Sequence, residues 1–229
     1  MFSHLSSGLT GVLYIFLIRA IIAFTALPIH ECAHGYAALR MGDHTAERQG
    51  RLTLNPFAHF DPIGTTALIL FGFGWAKPVP INPLNFENPK KGMMLSAMAG
   101  PLSNIAMAFL AMVLYKLSDL PFYLGLSADI FTVLRTFFFY VMTINVTLGV
   151  FNLLPIPPLD GSRIATYFLP QRLYFKIMQY ENIIFIALFA LLWLGVLDGP
   201  IDFVTNIVTF GLDFLTRPVD WLIMAILQI

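Results

Sequence analysis

Residues 20–40 read AIIAFTALPIHECAHGYAALR, an apolar run that carries His30, Glu31 and His34 in its middle. A helix needs about 20 mostly apolar residues to cross a bilayer, so this stretch is long enough to cross. The preceding residues 9–18 are also apolar and predict an interfacial lead-in or a tilted extension of the same helix. Ionisable groups inside such a run are costly and usually functional. The stretch therefore predicts a crossing helix that carries a functional site.

The composition predicts that lipid is the solvent for much of the chain. Hydrophobic residues make up 58% of the 229 and charged residues 11%, whereas soluble domains are about 45–50% apolar and about 25% charged. The net charge is zero, which gives no electrostatic basis for binding nucleic acid. The single cysteine, Cys32, excludes an intrachain disulfide. We therefore predict an integral membrane protein whose partners include the lipid bilayer and exclude nucleic acid.

Further apolar stretches predict an all-α, polytopic helical bundle. The later candidate spans, in chain order, are residues 93–117, 130–154 and 183–197. Two more apolar stretches, 203–214 and 219–229, are short, and the sequence leaves open whether they cross. No internal repeat or soluble domain is visible. We predict a single membrane-embedded domain over residues 1–229 with roughly four to six spans.

The segment between the first two predicted spans has a different character. Residues 63–75 are apolar but Gly-rich and too short to cross, which predicts a re-entrant or shallow piece that lines protein or a water cavity. Residues 76–91 contain four prolines, which exclude a helix there. A β-like edge at 75–86 would suit pairing with an extended substrate.

The basic residues predict the orientation of the chain. They concentrate in residues 41–92 and 159–180, whereas the acidic residues Asp119, Asp129 and Asp198 fall in the opposite loops. By the positive-inside rule, the two basic loops lie in the cytoplasm. We predict a multi-pass protein of the cell membrane with its active site towards the cytoplasmic side.

The chemistry of the chain is concentrated in the pentapeptide His30-Glu31-Cys32-Ala33-His34, which reads H-E-x-x-H. On a helix the two histidines lie one turn apart on one face, so both imidazoles can reach one Zn²⁺. Glu31 lies between them, where it can act as the general base towards water activated by the metal. The competing interpretation is a pair of core histidines beside a carboxylate. The cost of ionisable groups in a membrane segment favours the zinc site.

A catalytic zinc needs a third protein ligand and an open fourth position. Asp160 is a candidate because it follows the proline-rich run 152–158, whose backbone must be non-helical at the membrane edge. Gly161 lets the chain turn after the carboxylate. In the alternative, Asn152 caps one helix and Asp160 begins the next as its N-cap. His4 lies in the N-terminal tail, whereas His44 and His59 lie in the polar loop, where we expect them to be solvated rather than to bind the metal.

At these residues the sequence resembles the site-2 protease family of intramembrane zinc metalloproteases (peptidase family M50). The resemblance rests on H-E-x-x-H at 30–34 and on N-x-x-P-x-P-x-x-D-G-type spacing from Asn152 to Gly161, with NLLPIPPLDG as the sequence there. The segments GRLTLNP at 50–56 and AGPLSN at 99–104 also match, so the likeness covers about residues 20–164.

The resemblance implies a zinc site built by His30, His34 and Asp160, with Glu31 as the catalytic base. It also implies that Asn152 steadies the substrate carbonyl or oxyanion, a role that suits an amide donor. The loop between the motifs is too short for a PDZ domain, so we expect a minimal form without a PDZ or CBS domain.

The sequence thus predicts an intramembrane zinc metalloendopeptidase whose partner is a transmembrane protein substrate; the oligomeric state is left open. One alternative is a membrane protein that binds or transports zinc, or a non-catalytic scaffold, but neither would need Glu31. The other is a membrane zincin with a glutamate as third ligand. Only Glu87 and Glu181 are available later in the chain, and neither lies in a helical ligand motif.

Overall fold

The computed structural model describes residues 16–17, 19–71, 74–120 and 128–227, and every regular element within these ranges is helical. The chain divides into two compact units, residues 1–100 and 101–229. The prediction of an all-α protein is confirmed for the described residues. The predicted β-like edge at 75–86 is wrong, because the described residues there form no strand and two of them, Pro78 and Pro80, lack the N–H that a sheet ladder uses.

Helix α1, Leu27–Arg40, carries the H-E-x-x-H pentapeptide. A five-residue π-helical turn, Ile22–Ala26, precedes it. Pro28 lies in the first turn of α1, where it has no N–H to offer the preceding turn, and a π turn relieves such a mismatch. The helix ends where Gly42 adopts a φ of 100° and donates its N–H to Leu39 O at 3.0 Å.

Asp43, directly after α1, joins two loops of the first unit. Its buried carboxylate accepts hydrogen bonds from the backbone and side chain of Thr45, from Asn82 N at 2.7 Å and from Asn85 Nδ2 at 2.7 Å. Burial alone raises the pKa of Asp43, but these hydrogen bonds together hold the pKa below its ordinary value. The carboxylate is therefore ionised at neutral pH and fixes residues 82–85 beside the end of α1.

The remaining short elements of the first unit are α2, Thr45–Arg48, a 3₁₀ turn at Pro56–His59, α3, Pro62–Phe71, and a 3₁₀ turn at Pro83–Asn85. Helix α3 has 10 residues and spans about 15 Å, half of the hydrocarbon core. The chain then returns alongside α3, because a Cβ on Gly74 would lie 2.0 Å from Gly64 O. This fold-back agrees with a segment too short to cross.

Helix α4, Pro89–Leu117, begins inside the stretch that the prolines predict to be non-helical. That prediction is wrong for residues 89–91 because proline is well tolerated at the first helical position. Asn88 precedes Pro89, and its Oδ1 accepts from Lys91 N at 3.0 Å as an N-cap. Asn-Pro is therefore a helix start here rather than a break.

Helix α5, Ala128–Asn152, packs on the later part of α4 in the second unit. A Cβ on Gly149 would lie 2.9 Å from Ile105 Cδ1 and 3.2 Å from Pro101 O, so glycine permits this close approach. The buried core of the unit consists of Ala108, Ala111, Met112, Met142, Val146, Val150 and Leu212.

The second unit continues with α6, Asp160–Phe168, α7, Gln171–Met178, α8, Glu181–Trp193, and α9, Asp198–Leu227. The predicted span 183–197 is wrong in extent, because α8 ends at Trp193 and Gly195 turns the chain with a φ of 71°. Helices α8 and α9 meet at 83°. The two short apolar stretches at 203–214 and 219–227 belong to one continuous helix, α9, which accommodates Pro218 in its interior.

A charge cluster fixes α9 to the end of α4. Lys116 is buried, and its Nζ lies 2.9 Å from Asp213 Oδ1 and 2.6 Å from Asp220 Oδ2. A second ion pair nearby in the chain joins Arg135 of α5 to Asp119 at 2.9 Å. Because Asp213 and Asp220 lie about two turns apart on α9, the ammonium group of Lys116 binds two successive parts of that helix.

Two helices of the described residues are long and apolar enough to cross a membrane, Pro89–Leu117 and Phe131–Asn152, and α8 with α9 makes a third if that bent pair forms one span. The predicted count of four to six is not confirmed. Helix α1 is not among these helices, because its 14 residues cover about 21 Å of a core that is about 30 Å thick. The chain is nevertheless a membrane protein with helices suited to lipid.

Candidate metal centre

His30 and His34 meet on one face of α1, as the spacing predicts. Both are buried, and their Nε2 atoms lie 3.0 Å apart. Their rings stand nearly perpendicular, at 88° with centroids 4.6 Å apart, so only the two nitrogen-bearing edges converge. The pair thus presents two nitrogen atoms at one point inside the first unit.

Ser96 of α4 fixes the orientation of His34. The Nδ1 of His34 lies 2.7 Å from Ser96 O, and Ser96 Oγ donates to His34 O at 3.0 Å. A carbonyl oxygen only accepts, so Nδ1 carries the proton and the Nε2 of His34 presents its lone pair towards His30. Histidines that bind metals typically donate their other N–H to such an acceptor. The sequence analysis missed Ser96. The one signal that could have found it is a polar residue four positions before Gly100 on an apolar helix.

Gly100 makes room for the two imidazoles. A Cβ at this position would lie 2.3 Å from His34 Nε2 and 2.7 Å from His30 Cε1. Real Cβ atoms do not approach other atoms so closely, so the absence of a side chain at Gly100 is a condition for this arrangement. The helix α4 therefore contributes both a hydrogen-bond acceptor and a space to the site on α1.

These residues fit zinc. With Zn–N bonds of about 2.0–2.1 Å, two imidazole nitrogens on one tetrahedral ion lie a little over about 3 Å apart, close to the separation of the Nε2 atoms. The fixed tautomer of His34, with the lone pair of its Nε2 turned towards His30, is what such a centre needs. Two neutral imidazoles are also the usual donors for this ion.

Glu31 points towards a different partner from its neighbours in the motif. Its Oε2 accepts a hydrogen bond from the backbone N–H of Val79 at 2.8 Å, across 48 residues of sequence. The side chain is half-buried. One carboxylate oxygen of Glu31 is thus held by a main-chain donor. Sequence reasoning missed Val79, because a backbone donor carries no side-chain signal.

Asp160 and Asn152 lie in the second unit, on either side of the proline-rich connection. Helix α6 begins at Asp160, and the residue in the N-cap position is Leu159, without a side-chain capping bond. The alternative in which Asp160 is the N-cap is therefore wrong. Asn152 is the last residue of α5, and its Nδ2 donates to Leu148 O at 3.0 Å, as the helix-capping alternative expects.

Gly161 serves a different purpose from the predicted turn. It is the second residue of α6, and a Cβ there would lie 2.2 Å from Leu153 O and 2.4 Å from Leu154 O. The glycine is required because the first turn of α6 lies against the backbone of residues 153–154. This close approach fixes where Asp160 stands relative to the end of α5.

The histidines outside the motif have separate roles. His44 is exposed and pairs with Glu47 at 2.7 Å, as expected of a loop histidine. His59 is only 3% exposed, and its Nε2 donates to Thr53 O at 2.8 Å. Its solvent-facing position in the polar loop was predicted wrongly, because the loop folds back on itself through this contact.

The chain is similar to a known peptidase family and to several named proteins. The sequence profile of peptidase family M50 matches residues 122–195, which include Asn152 and Asp160. "Putative zinc metalloprotease YwhC" of Bacillus subtilis is 42% identical over 176 residues, which cover 76% of this chain and 78% of that protein. No solved structure matches the chain.

Two further relatives carry names of the same kind. Rip2 of Mycolicibacterium smegmatis is 32% identical over 145 residues, and MJ0611 of Methanocaldococcus jannaschii is 26% identical over 160 residues. The alignments cover 59% and 67% of this chain, respectively. They cover 71% of MJ0611 but 51% of Rip2, so the chain spans about half the length of Rip2.

Proposed function

Because this chain belongs to peptidase family M50 and is a zinc metalloprotease, we propose that it hydrolyses peptide bonds within or next to the transmembrane segments of membrane proteins. The observation that carries the proposal is the position of the buried His30–His34 pair. The two ligand nitrogens lie 3.0 Å apart on a helix drawn from the apolar run 20–40 rather than from a soluble domain. A site in such a stretch is suited to substrates that arrive through lipid.

We propose Asp160 as the third zinc ligand beside His30 and His34. Support comes from its place in the motif after the prolines, from its position inside the first turn of α6 and from the tight seat of Gly161. A set of two imidazoles and one carboxylate with an open position is typical of catalytic zinc. Zinc bound there supplies Lewis-acid chemistry that activates water and polarises the scissile carbonyl group.

Glu31 moves the proton in the proposed reaction. Its Oε1 takes a proton from the water whose oxygen forms a bond to the carbonyl carbon. As the carbon–nitrogen bond breaks, Glu31 returns this proton to the leaving amine. The Val79 N–H holds Oε2 and thereby keeps the carboxylate turned for this transfer. We propose that Asn152 donates its second amide hydrogen to the carbonyl oxygen of the substrate, where negative charge develops.

The proposed orientation places this chemistry at the cytoplasmic side of the cell membrane. The excess of basic residues in loops 41–92 and 159–180 supports it. The polar segment after α1, whose residues 47–50 are exposed, would then face water. Water would reach the site from that side.

The substrate class is tested with a reporter peptide in liposomes. The peptide carries an apolar segment of 20 or so residues, flanked by a fluorophore and a quencher. We expect the zinc-loaded wild type to cleave it, and to cleave a soluble version, with lysines spread through the same segment, much more slowly. Glu31→Gln provides the background rate. Efficient cleavage of the soluble version alone would overturn the intramembrane proposal and leave the metalloprotease assignment intact.

Asp160→Asn tests the third ligand. Removal of a ligand charge should weaken zinc binding by more than the roughly 10- to 100-fold that outer-shell changes cost. The measurement is the zinc content of the purified protein after dialysis against a chelator of graded strength. Asp198→Asn is the matched control, since Asp198 also begins a helix of the second unit. If the two variants retain zinc equally well, Asp160 is not a ligand.

A further inference from the structure

We propose that residues 77–82, here called the strap, position the carboxylate of Glu31, and that Arg51 is a positioning residue that holds the strap in place. The proposal rests on the role of Glu31 as the general base. Arg51 acts on the reaction through the strap, not through contact with substrate.

The strap reaches the carboxylate through one backbone donor. The N–H of Val79 donates to Glu31 Oε2 at 2.8 Å. Val79 stands between Pro78 and Pro80, which have no N–H and restrict the backbone around it. It is therefore the one residue of 78–80 that can donate, and the flanking rings limit how far that donor can turn away.

Helix α1 is shaped to receive the strap beside the motif. A Cβ on Gly35 would lie 2.8 Å from Val79 Cγ1 and 2.5 Å from Leu52 Cδ2. The missing side chain next to His34 lets the buried Val79 pack directly on the helix that carries Glu31. The close packing and the hydrogen bond thus fix residue 79 against the same turn of α1.

Both ends of the strap are tied to the loop that precedes it. The N–H of Lys77 donates to His59 O at 2.9 Å, and Arg51 Nη2 donates to Lys77 O at 2.8 Å. The backbone of residue 77 is therefore held by both its donor and its acceptor. At the other end, Asn82 N donates to the buried Asp43 at 2.7 Å.

These ties determine the placement of the base. A carboxylate on a helix surface has several rotamers, and a fixed N–H selects the ones in which Oε2 meets it. A misplacement of about 1 Å at a catalytic group can cost about 100-fold in rate. Loss of the Arg51 tie should therefore lower the rate of chemistry without changing the zinc ligands.

The kinetic test compares Arg51→Met with Arg51→Lys. Arg51→Met keeps the apolar stem and removes the donor, and we expect kcat on the reporter peptide to fall roughly 10- to 100-fold. KM, zinc content and melting temperature should stay near the wild-type values. Arg51→Lys should recover most of kcat. Arg48→Met, at an exposed basic residue that ends α2, is the control and should match the wild type.

A hydrogen-exchange test needs no substrate and separates this proposal from the proposed function. Among residues 78–80, Val79 carries the one exchangeable amide, because Pro78 and Pro80 have no N–H. We expect slow exchange of the residue 79 amide in the wild type and faster exchange of the same amide in Arg51→Met and in Val79→Thr. Glu31→Ala, which removes the acceptor of this hydrogen bond, is the reference for fast exchange. If the exchange rate of the Val79 amide is unchanged in Arg51→Met, or if kcat of this variant lies within twofold of wild type, the proposed role of Arg51 and the strap is wrong. A wild type that cleaves nothing while the exchange pattern holds instead overturns the proposed substrate class.

Discussion

Glu31→Gln should abolish peptide hydrolysis and leave the zinc in place. Glutamine has nearly the same shape as glutamate, and its carbonyl oxygen can still accept from Val79 N–H, which donates to Glu31 at 2.8 Å. The amide has no basic oxygen for the proton of the attacking water. General-base catalysis contributes about 10²- to 10⁴-fold, so the rate should fall by at least that range. The imidazoles of His30 and His34 are unchanged and should keep their affinity for the metal.

The measurement pairs zinc content with cleavage of the reporter peptide in the same samples. Glu47→Gln is the matched control, because Glu47 is exposed and pairs with His44. It should leave both quantities at the wild-type level. Two results would contradict the assignment: a rate within tenfold of wild type would place the base elsewhere, and loss of zinc would make Glu31 a ligand instead.

Gly100→Ala should remove both zinc and activity through a single methyl group. The added Cβ would lie 2.3 Å from His34 Nε2 and 2.4 Å from His34 Cε1, so the imidazole must leave its position. The helix itself should not suffer, since alanine is favoured over glycine in a helix by about 1 kcal/mol. A variant that folds as well as the wild type and binds little zinc is therefore expected.

Metal titration and melting temperature together check this result. Gly211→Ala in α9 is the control, because a Cβ there meets no atom within 4 Å. It should retain zinc and melt at or slightly above the wild-type temperature. Full zinc binding by Gly100→Ala would show that the imidazoles do not need the space that this glycine provides.

The motif on α1 could be predicted because its information is local. Spacing alone places His30 and His34 on one face of a helix. The groups that complete the surroundings come from far along the chain: Ser96 bonds His34 across 62 residues, and Val79 bonds Glu31 across 48. Backbone atoms form both contacts, and a single sequence carries no mark of which backbone atom faces a site.

The helix ends were harder to predict because prolines have two meanings. Pro78 and Pro80 do exclude a helix, whereas Pro89 begins one after the capping residue Asn88. Pro218 lies inside α9 without ending it. A proline inside a helix removes one backbone hydrogen bond. Whether the helix ends there depends on the capping and packing around that ring.

The number of spans could not be obtained from apolar length alone. Residues 183–197 have the composition of a crossing helix, but Gly195 bends the chain and α9 departs at 83°. Hydropathy indicates which residues prefer lipid, but it carries no information on the direction in which a helix runs. Conversely, residues 20–40 are numerous enough to cross a bilayer as one helix, but the regular helix α1 covers the part Leu27–Arg40.

The charge cluster at Lys116 has a consequence for how the protein is made. Lys116 is placed near the end of an apolar helix, and one of its two partners, Asp220, is synthesised 104 residues later. Until α9 leaves the ribosome, the ammonium must be solvated by water or lipid headgroups. The two aspartates likewise gain the charge of Lys116 when α9 meets α4. Docking of the C-terminal helix is therefore a late step of biogenesis that neutralises charge on both sides, and the insertion machinery must keep α4 accessible until it occurs.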